Sequence, residues 1–132
     1  MRLASLRKAI KHALLATAFG YEDLLDGQTS KWLGTAFSLL APLKQRVGGS
    51  IRFLDGVRKG KLLDVGCGNG RFLAMMRDLG WEVVGVEPDR QAARIAQERF
   101  GIPVMVGTLE DANFSRGSFD AVTINQVIEH VY

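Results

Sequence analysis

The chain has 132 residues, 47% of them hydrophobic and 23% charged, with a formal net charge of +3, proportions of an ordinary globular protein with a real core. No apolar run approaches the ~18–20 residues of a membrane span, and the first residues lack the basic, apolar and small-residue regions of a secretory leader. Cys67 is the one cysteine, which excludes an intrachain disulfide and a multi-cysteine metal centre. A reducing, cytoplasmic setting is expected, and no metal. Charge is unevenly spread: residues 1–60 carry ten Lys/Arg against four Asp/Glu, a balance of +6, and residues 61–132 carry seven against ten, a balance of −3. Such asymmetry marks either a basic arm or two segments with different solvated faces, and the second is the expectation here. No aromatic-and-basic signature of nucleic-acid binding stands out.

Residues 1–60 read as a helical N-terminal segment. Leu3, Leu6, Ile10 and Leu14 recur at intervals of three and four, with Arg2, Arg7, Lys8 and Lys11 between them, the pattern of one apolar helix face. "GYEDLLDGQTS" interrupts with two glycines and turn-forming polar residues. Ser30 is placed to cap a second helix carrying Trp32, Leu33, Phe37 and Leu40. Pro42 opens another turn or short helix, which Gly48–Ser50 is expected to end.

From Lys61 the pattern becomes alternating strand and helix, so residues 61–132 read as a second, ligand-binding domain. "KLLDV" is a buried strand, and a helix follows over Gly70–Leu79 with Phe72, Met76 and Leu79 on one face and Gly80 as its stop. "EVVGVE" is the second strand. Asp89 caps a helix that turns Ala92, Ile95, Ala96 and Phe100 to the sheet and ends at Gly101. "IPVMV" and "FDAVTIN" are the third and fourth strands. Strands joined by helices of this length need crossover connections, hence an α/β fold with a parallel sheet.

In such a sheet ligands gather beyond the carboxyl ends of the strands, where the loop Gly66–Gly70 falls. Bare backbone there lets a ligand come close, and Glu87, at the tip of the second strand, is placed to accept hydrogen bonds from both hydroxyls of a ribose. A dinucleotide dehydrogenase uses the same devices, but its G-x-G-x-x-G/A spacing is absent: Gly66, Gly68 and Gly70 alternate, and position 71 is Arg. Asp64 puts an acid at the floor of the loop, which repels a pyrophosphate but suits an ammonium group. A nucleoside with an amino-acid tail fits better than one with two phosphates.

"LLDVGCGNGRFL" resembles the glycine motif of class I S-adenosylmethionine-dependent methyltransferases, and "VVGVEPD" resembles their second motif with its ribose-binding acid. "VGTLEDANF" is similar to the family's adenine loop, and "GSFDAVTINQVIEHV" to its fourth strand and the helix start beyond. The resemblance covers about residues 61–131. It implies a Rossmann-like fold with strand order 3-2-1-4, S-adenosyl-L-methionine as cofactor, and methyl transfer to an oxygen, nitrogen or carbon nucleophile. It further implies that Gly66, Cys67, Gly68 and Gly70 line the methionine and ribose, that Asp64 stands near the methionine ammonium, and that Glu87 holds the ribose diol. Leu109 would offer its backbone N–H to adenine, with Glu110 a candidate for the adenine amino group, and Asn125 or Gln126 would close the methionine end. Many relatives carry an acid after the glycine of the adenine loop; Thr108 stands there instead.

Several of these residues also have a plainer reading. Cys67 is expected to be a small filler rather than a nucleophile, since no base lies near it in sequence. Glu110 and Asp111 form a solvated loop pair if they bind nothing. His130 is the candidate catalytic base, for its ordinary pKa lies near neutrality; the alternative is a histidine that caps or packs. Only four of the family's seven strands are countable, so the chain is expected to be truncated or completed by another copy through its exposed fourth strand. The N-terminal helix is expected to pack on the sheet, the alternatives being a lid or a peripheral contact with acidic lipid. Among methyl acceptors a small molecule, lipid or sugar is preferred to nucleic acid. The rival functions are a nicotinamide oxidoreductase of similar fold and a nonenzymatic nucleoside-binding module.

Overall fold

Glycines, helix caps and apolar runs divide the chain where local chemistry demands, into two units, Met1–Arg58 and Lys59–Tyr132. The computed structural model describes residues 2–25, 41–56 and 58–124. In the first unit α1 spans Arg2–Phe19, a single 3-10 turn follows at Glu22–Leu24, and α2 spans Ala41–Ser50. Burial along α1 differs from the expected stripe. Ala13, Leu14, Leu15, Ala16 and Phe19 are buried, whereas Leu6 is 55% exposed. The second half of the helix is enclosed because the chain folds back on it there, and Tyr21 anchors that return by donating its hydroxyl to the Leu54 carbonyl at 2.9 Å.

The expected stop at Gly48–Ser50 holds, with α2 ending at Ser50 and both glycines inside its last turn. A glycine normally weakens a helix. At Gly48 a Cβ would meet Phe53 Cε1 at 2.6 Å and Phe19 Cζ at 2.7 Å, so the missing side chain is what admits two aromatic rings. Arg52 and Phe53 then end the helix in the left-handed region, at φ 52° and 58°. The second helix expected from Ser30, with Trp32, Leu33, Phe37 and Leu40, lies outside the described residues.

In the second unit β1 (Lys61–Val65), β2 (Glu82–Glu87), β3 (Val104–Val106) and β4 (Ala121–Ile124) alternate with α3 (Arg71–Asp78), α4 (Arg90–Phe100) and α5 (Leu109–Ala112). The sheet order is β3-β2-β1-β4 and every pairing is parallel, as the Rossmann-like expectation requires. β3 is shorter than expected because Pro103 has no N–H for a ladder, although its carbonyl accepts from Gly85 N at 2.9 Å. On one sheet face Leu63, Val65 and Val86 pack with Val84, Ala112, Phe114 and Phe119, the last two rings meeting edge to face at 4.9 Å.

The helices on the sheet are rotated from the sequence expectation. α3 buries Leu73, Ala74 and Met76, leaving Phe72 and Leu79 half-buried. α4 buries Ala93 and Ala96, while Ile95 is 40% exposed. One contact accounts for both. A Cβ on Gly70 would lie 2.6 Å from Ala96 Cβ, so the start of α3 presses directly on α4 and fixes which arc of each helix faces inward. The expected ends of α4 hold: Asp89 accepts from Gln91 N at 2.8 Å and Ala92 N at 3.4 Å, and Gly101 closes the helix at φ 64°. Among the described residues no helix is long and apolar enough to cross a membrane.

Candidate functional site

The loop between β1 and α3 sits at the carboxyl end of the sheet. Gly66, Gly68 and Gly70 all have positive φ, of 72°, 54° and 74°, a conformation other residues adopt at a cost. This alternation curls the backbone so that successive N–H groups turn to the neighbouring strand. Gly66 N and Cys67 N both donate to the Val86 carbonyl, at 2.9 and 3.2 Å. Gly68 N donates to Glu87 Oε2 at 2.6 Å. The loop is therefore clamped to the tip of β2, and one turn of its own, from Gly70 N to the Cys67 carbonyl at 3.1 Å, closes it.

Glu87 is the other half of the clamp. It is 8% exposed, and its second oxygen, Oε1, accepts from Asp89 N at 3.0 Å. Each carboxylate oxygen has a further lone-pair direction, so a ligand diol can bind without displacing the loop. The Glu87 carbonyl also accepts from Gly107 N at 3.0 Å, which draws the loop after β3 to the same place. Gly68, Glu87 and the 107–109 segment are thus brought together from regions far apart in sequence.

Asp64 lies lower than a loop residue would. It is 0% exposed, pairs with Gly85 on one side and Thr123 on the other in the sheet register, and accepts from Thr123 Oγ1 at 2.7 Å. Cys67 fills the space over Gly85, where an added Cβ would meet its Sγ at 2.5 Å. Burial, then the negative charges of Asp64 and Glu87, push the Cys67 thiol up to about 12. A thiol held protonated is no nucleophile.

The loop after β3 is organised locally. Thr108 caps α5 in a reciprocal box with Asp111: Asp111 Oδ2 accepts from Thr108 N at 2.9 Å, and Thr108 Oγ1 accepts from Asp111 N at 3.3 Å. The Thr108 backbone, then its side chain, hold the Asp111 carboxyl below its ordinary range. Thr108, which departs from the family pattern, thus has a structural job, and the T-x-x-D spacing signals it in the sequence. Leu109 opens α5 and is partly exposed, and Glu110 faces solvent. Asn125, Gln126 and His130 lie outside the described residues. Thr123 was not singled out from the sequence, because its partner Asp64 is distant and only strand register joins them.

The arrangement separates two ligand chemistries. A pyrophosphate needs backbone N–H groups aimed at it, but those of Gly66, Cys67 and Gly68 point to β2, and two carboxylates flank the loop. That disfavours a dinucleotide. Among the described residues a Cβ on Gly68 would meet nothing within 4 Å, so the cradle has room, and acids beside it suit a ligand with hydroxyls and a cationic tail. The residues present fit S-adenosyl-L-methionine.

Known proteins agree. A TehB-like SAM-dependent methyltransferase from Corynebacterium glutamicum superposes with a TM-score of 0.56 at 25% identity, over 77% of this chain and 58% of that one. The mitochondrial ubiquinone biosynthesis O-methyltransferase of Mus musculus is 40% identical over 80 residues, 54% of this chain and 22% of that protein. The ubiquinone biosynthesis O-methyltransferase of Rhodopseudomonas palustris is 34% identical over 92 residues, 66% of this chain and 35% of that protein. The chain spans only those minor shares of its curated relatives. The family model of the methyltransferase domain matches residues 63–132, more than half of the chain, and the chain belongs to the class I S-adenosylmethionine-dependent methyltransferases.

Proposed function

We propose that the chain supplies the cofactor half of an enzyme that methylates a hydroxyl oxygen of a small molecule. The observation that carries the cofactor reading is the 2.6 Å bond from Gly68 N to Glu87 Oε2, which turns the ribose-binding acid toward the glycine loop. The oxygen acceptor rests on the printed activity of the relatives, O-methyltransferases of ubiquinone biosynthesis. A small, lipid or sugar-like acceptor is preferred to nucleic acid. A cytoplasmic setting is supported by the single, buried thiol.

When bound, S-adenosyl-L-methionine supplies an electrophilic methyl on a sulfonium. The residues of this chain do the rest. Glu87 accepts from the ribose diol, bonds to a charged acceptor being worth about 1.5–3 kcal/mol each. The bare backbone of Gly66–Gly70 allows close approach, and Asp64 serves the methionine ammonium. Leu109 and Glu110 serve the adenine, and Asn125 and Gln126 the methionine end. His130 takes the proton of an acceptor hydroxyl, a step needed only when that hydroxyl holds its proton tightly. Positioning and exclusion of water then bring the acceptor into line.

Titration calorimetry with S-adenosylhomocysteine and with NAD tests the reading. The first is expected to bind and the second not, and Glu87→Ala should weaken the first by about one to two decades. Binding of NAD alone overturns the assignment.

A further inference from the structure

Thr123 is a residue of β4 whose side chain is buried against Asp64, at the floor of the glycine loop. It is 9% exposed beside a wholly buried Asp64, and the register Asp64↔Thr123 puts the two side chains next to each other on one sheet face. Its hydroxyl has two acceptors within reach, the Leu63 carbonyl at 3.4 Å and Asp64 Oδ1 at 2.7 Å. A hydroxyl has one proton to give. The shorter distance and the charged acceptor decide in favour of Asp64, whose geometry matches a charge-assisted O–H···O bond.

On its other flank Asp64 meets a strand position that brings no side chain. Its register partner there is Gly85, and the space over that glycine is taken by the Cys67 thiol, a weak donor whose Sγ lies 3.8 Å from the Gly68 carbonyl. The hydroxyl of β4 is therefore a side-chain donor that orients the Asp64 carboxylate. A carboxylate held in one orientation before a ligand arrives loses less freedom on binding.

We infer that Thr123 is a positioning residue for the amino-acid tail of the cofactor, acting through Asp64. The inference rests on the proposed S-adenosyl ligand and deepens it: affinity for the tail is set partly from β4. Thr123→Val replaces the hydroxyl by a methyl of similar size and should leave the strand in place, while removing its hydrogen bond to the carboxylate. Thr123→Ser keeps the donor.

The experiment compares two ligands on the full chain. S-adenosylhomocysteine carries the amino-acid tail, and 5′-methylthioadenosine shares its adenosine and thioether but lacks the tail. Thr123→Val should weaken the first by about tenfold and leave the second unchanged, and Thr123→Ser should restore wild-type affinity for both. A purely structural role for Thr123 lowers both affinities together, and that result, or an unaltered affinity for S-adenosylhomocysteine, overturns the inference. If the valine variant fails to fold by circular dichroism, Thr123→Ala carries the same comparison with the same outcomes. Wild-type protein that binds neither ligand overturns the proposed function itself, which keeps the two failures distinct.

Discussion

Two loops meet at the tip of β2, and they are built in opposite ways. The Gly66–Gly70 loop has one turn bond of its own, from Gly70 N to the Cys67 carbonyl; its first three N–H groups go to Val86 and Glu87, and its side chain Cys67 is locked over Gly85. The loop after Gly107 makes its own structure through the Thr108–Asp111 box; Gly107 N ties it to Glu87, and Ala112 packs on the core of Leu63, Val65 and Val86. The first is shaped mainly by bonds to β2, the second mainly by neighbours three residues away. The first should therefore transmit damage to fold and ligand together, and the second should absorb it.

The largest effect is expected at Gly70. Gly70→Val adds left-handed strain and drives a side chain into Ala96, 2.6 Å from its Cβ, so urea melts should show a loss of about 2–4 kcal/mol. Gly68→Ala makes the sharper contrast. A Cβ there meets nothing within 4 Å among the described residues, so stability should fall only by about 1–2 kcal/mol of backbone strain, while binding of S-adenosylhomocysteine is lost because the cradle is filled. Equal stability losses at the two glycines would break the distinction between anchoring and ligand-facing positions.

Gly85→Ala should come next, costing about 1–3 kcal/mol by overpacking against Cys67. Cys67→Ala in the same chain should restore part of this, since Sγ at 2.5 Å goes but Cβ at 3.1 Å remains. The thiol also gives a signature in pH. Its folded pKa, about 12, lies above its ordinary 9.0. Below pH 9 both folded and unfolded chains hold the proton, and the contribution to stability is complete. As pH rises from 9 toward 12 the unfolded chain gives up its proton first, so that contribution is lost. Urea midpoints of wild type should fall more steeply over this window than those of Cys67→Ala, and at pH 8 iodoacetamide should label Cys67 only after unfolding.

The smallest effect belongs to the self-made loop. Thr108→Ala removes the cap and should speed amide exchange at Asp111 and Ala112, with S-adenosylhomocysteine affinity unchanged. The Asp111 carboxyl is held low by Thr108, a stabilisation present above its ordinary pKa and lost as pH falls through the lowered one. Thr108→Ala should diminish that acid dependence. A large loss of ligand affinity in this variant would show that the two loops are not built as differently as their hydrogen bonds indicate.

Some of this was readable along the chain because it is local. Alternating glycines announce positive φ, Asp89 and Gly101 announce the ends of α4, and the strand assignments at Lys61–Val65 and Glu82–Glu87 follow from apolar runs bounded by turn residues. These depend on steric limits and hydrogen bonds within a few residues. Even Thr108 carried its signal in the spacing to Asp111. The rotation of α3 and α4 did not, because hydrophobic spacing leaves the facing arc uncertain by a residue, and the close approach of Gly70 to Ala96 chose it. Nor did the pairing of Asp64 with Thr123, since neighbours across a parallel sheet are set by register between strands that meet only after folding. Local stereochemistry thus determined the elements and the glycine cradle; packing decided which side chains stand around it.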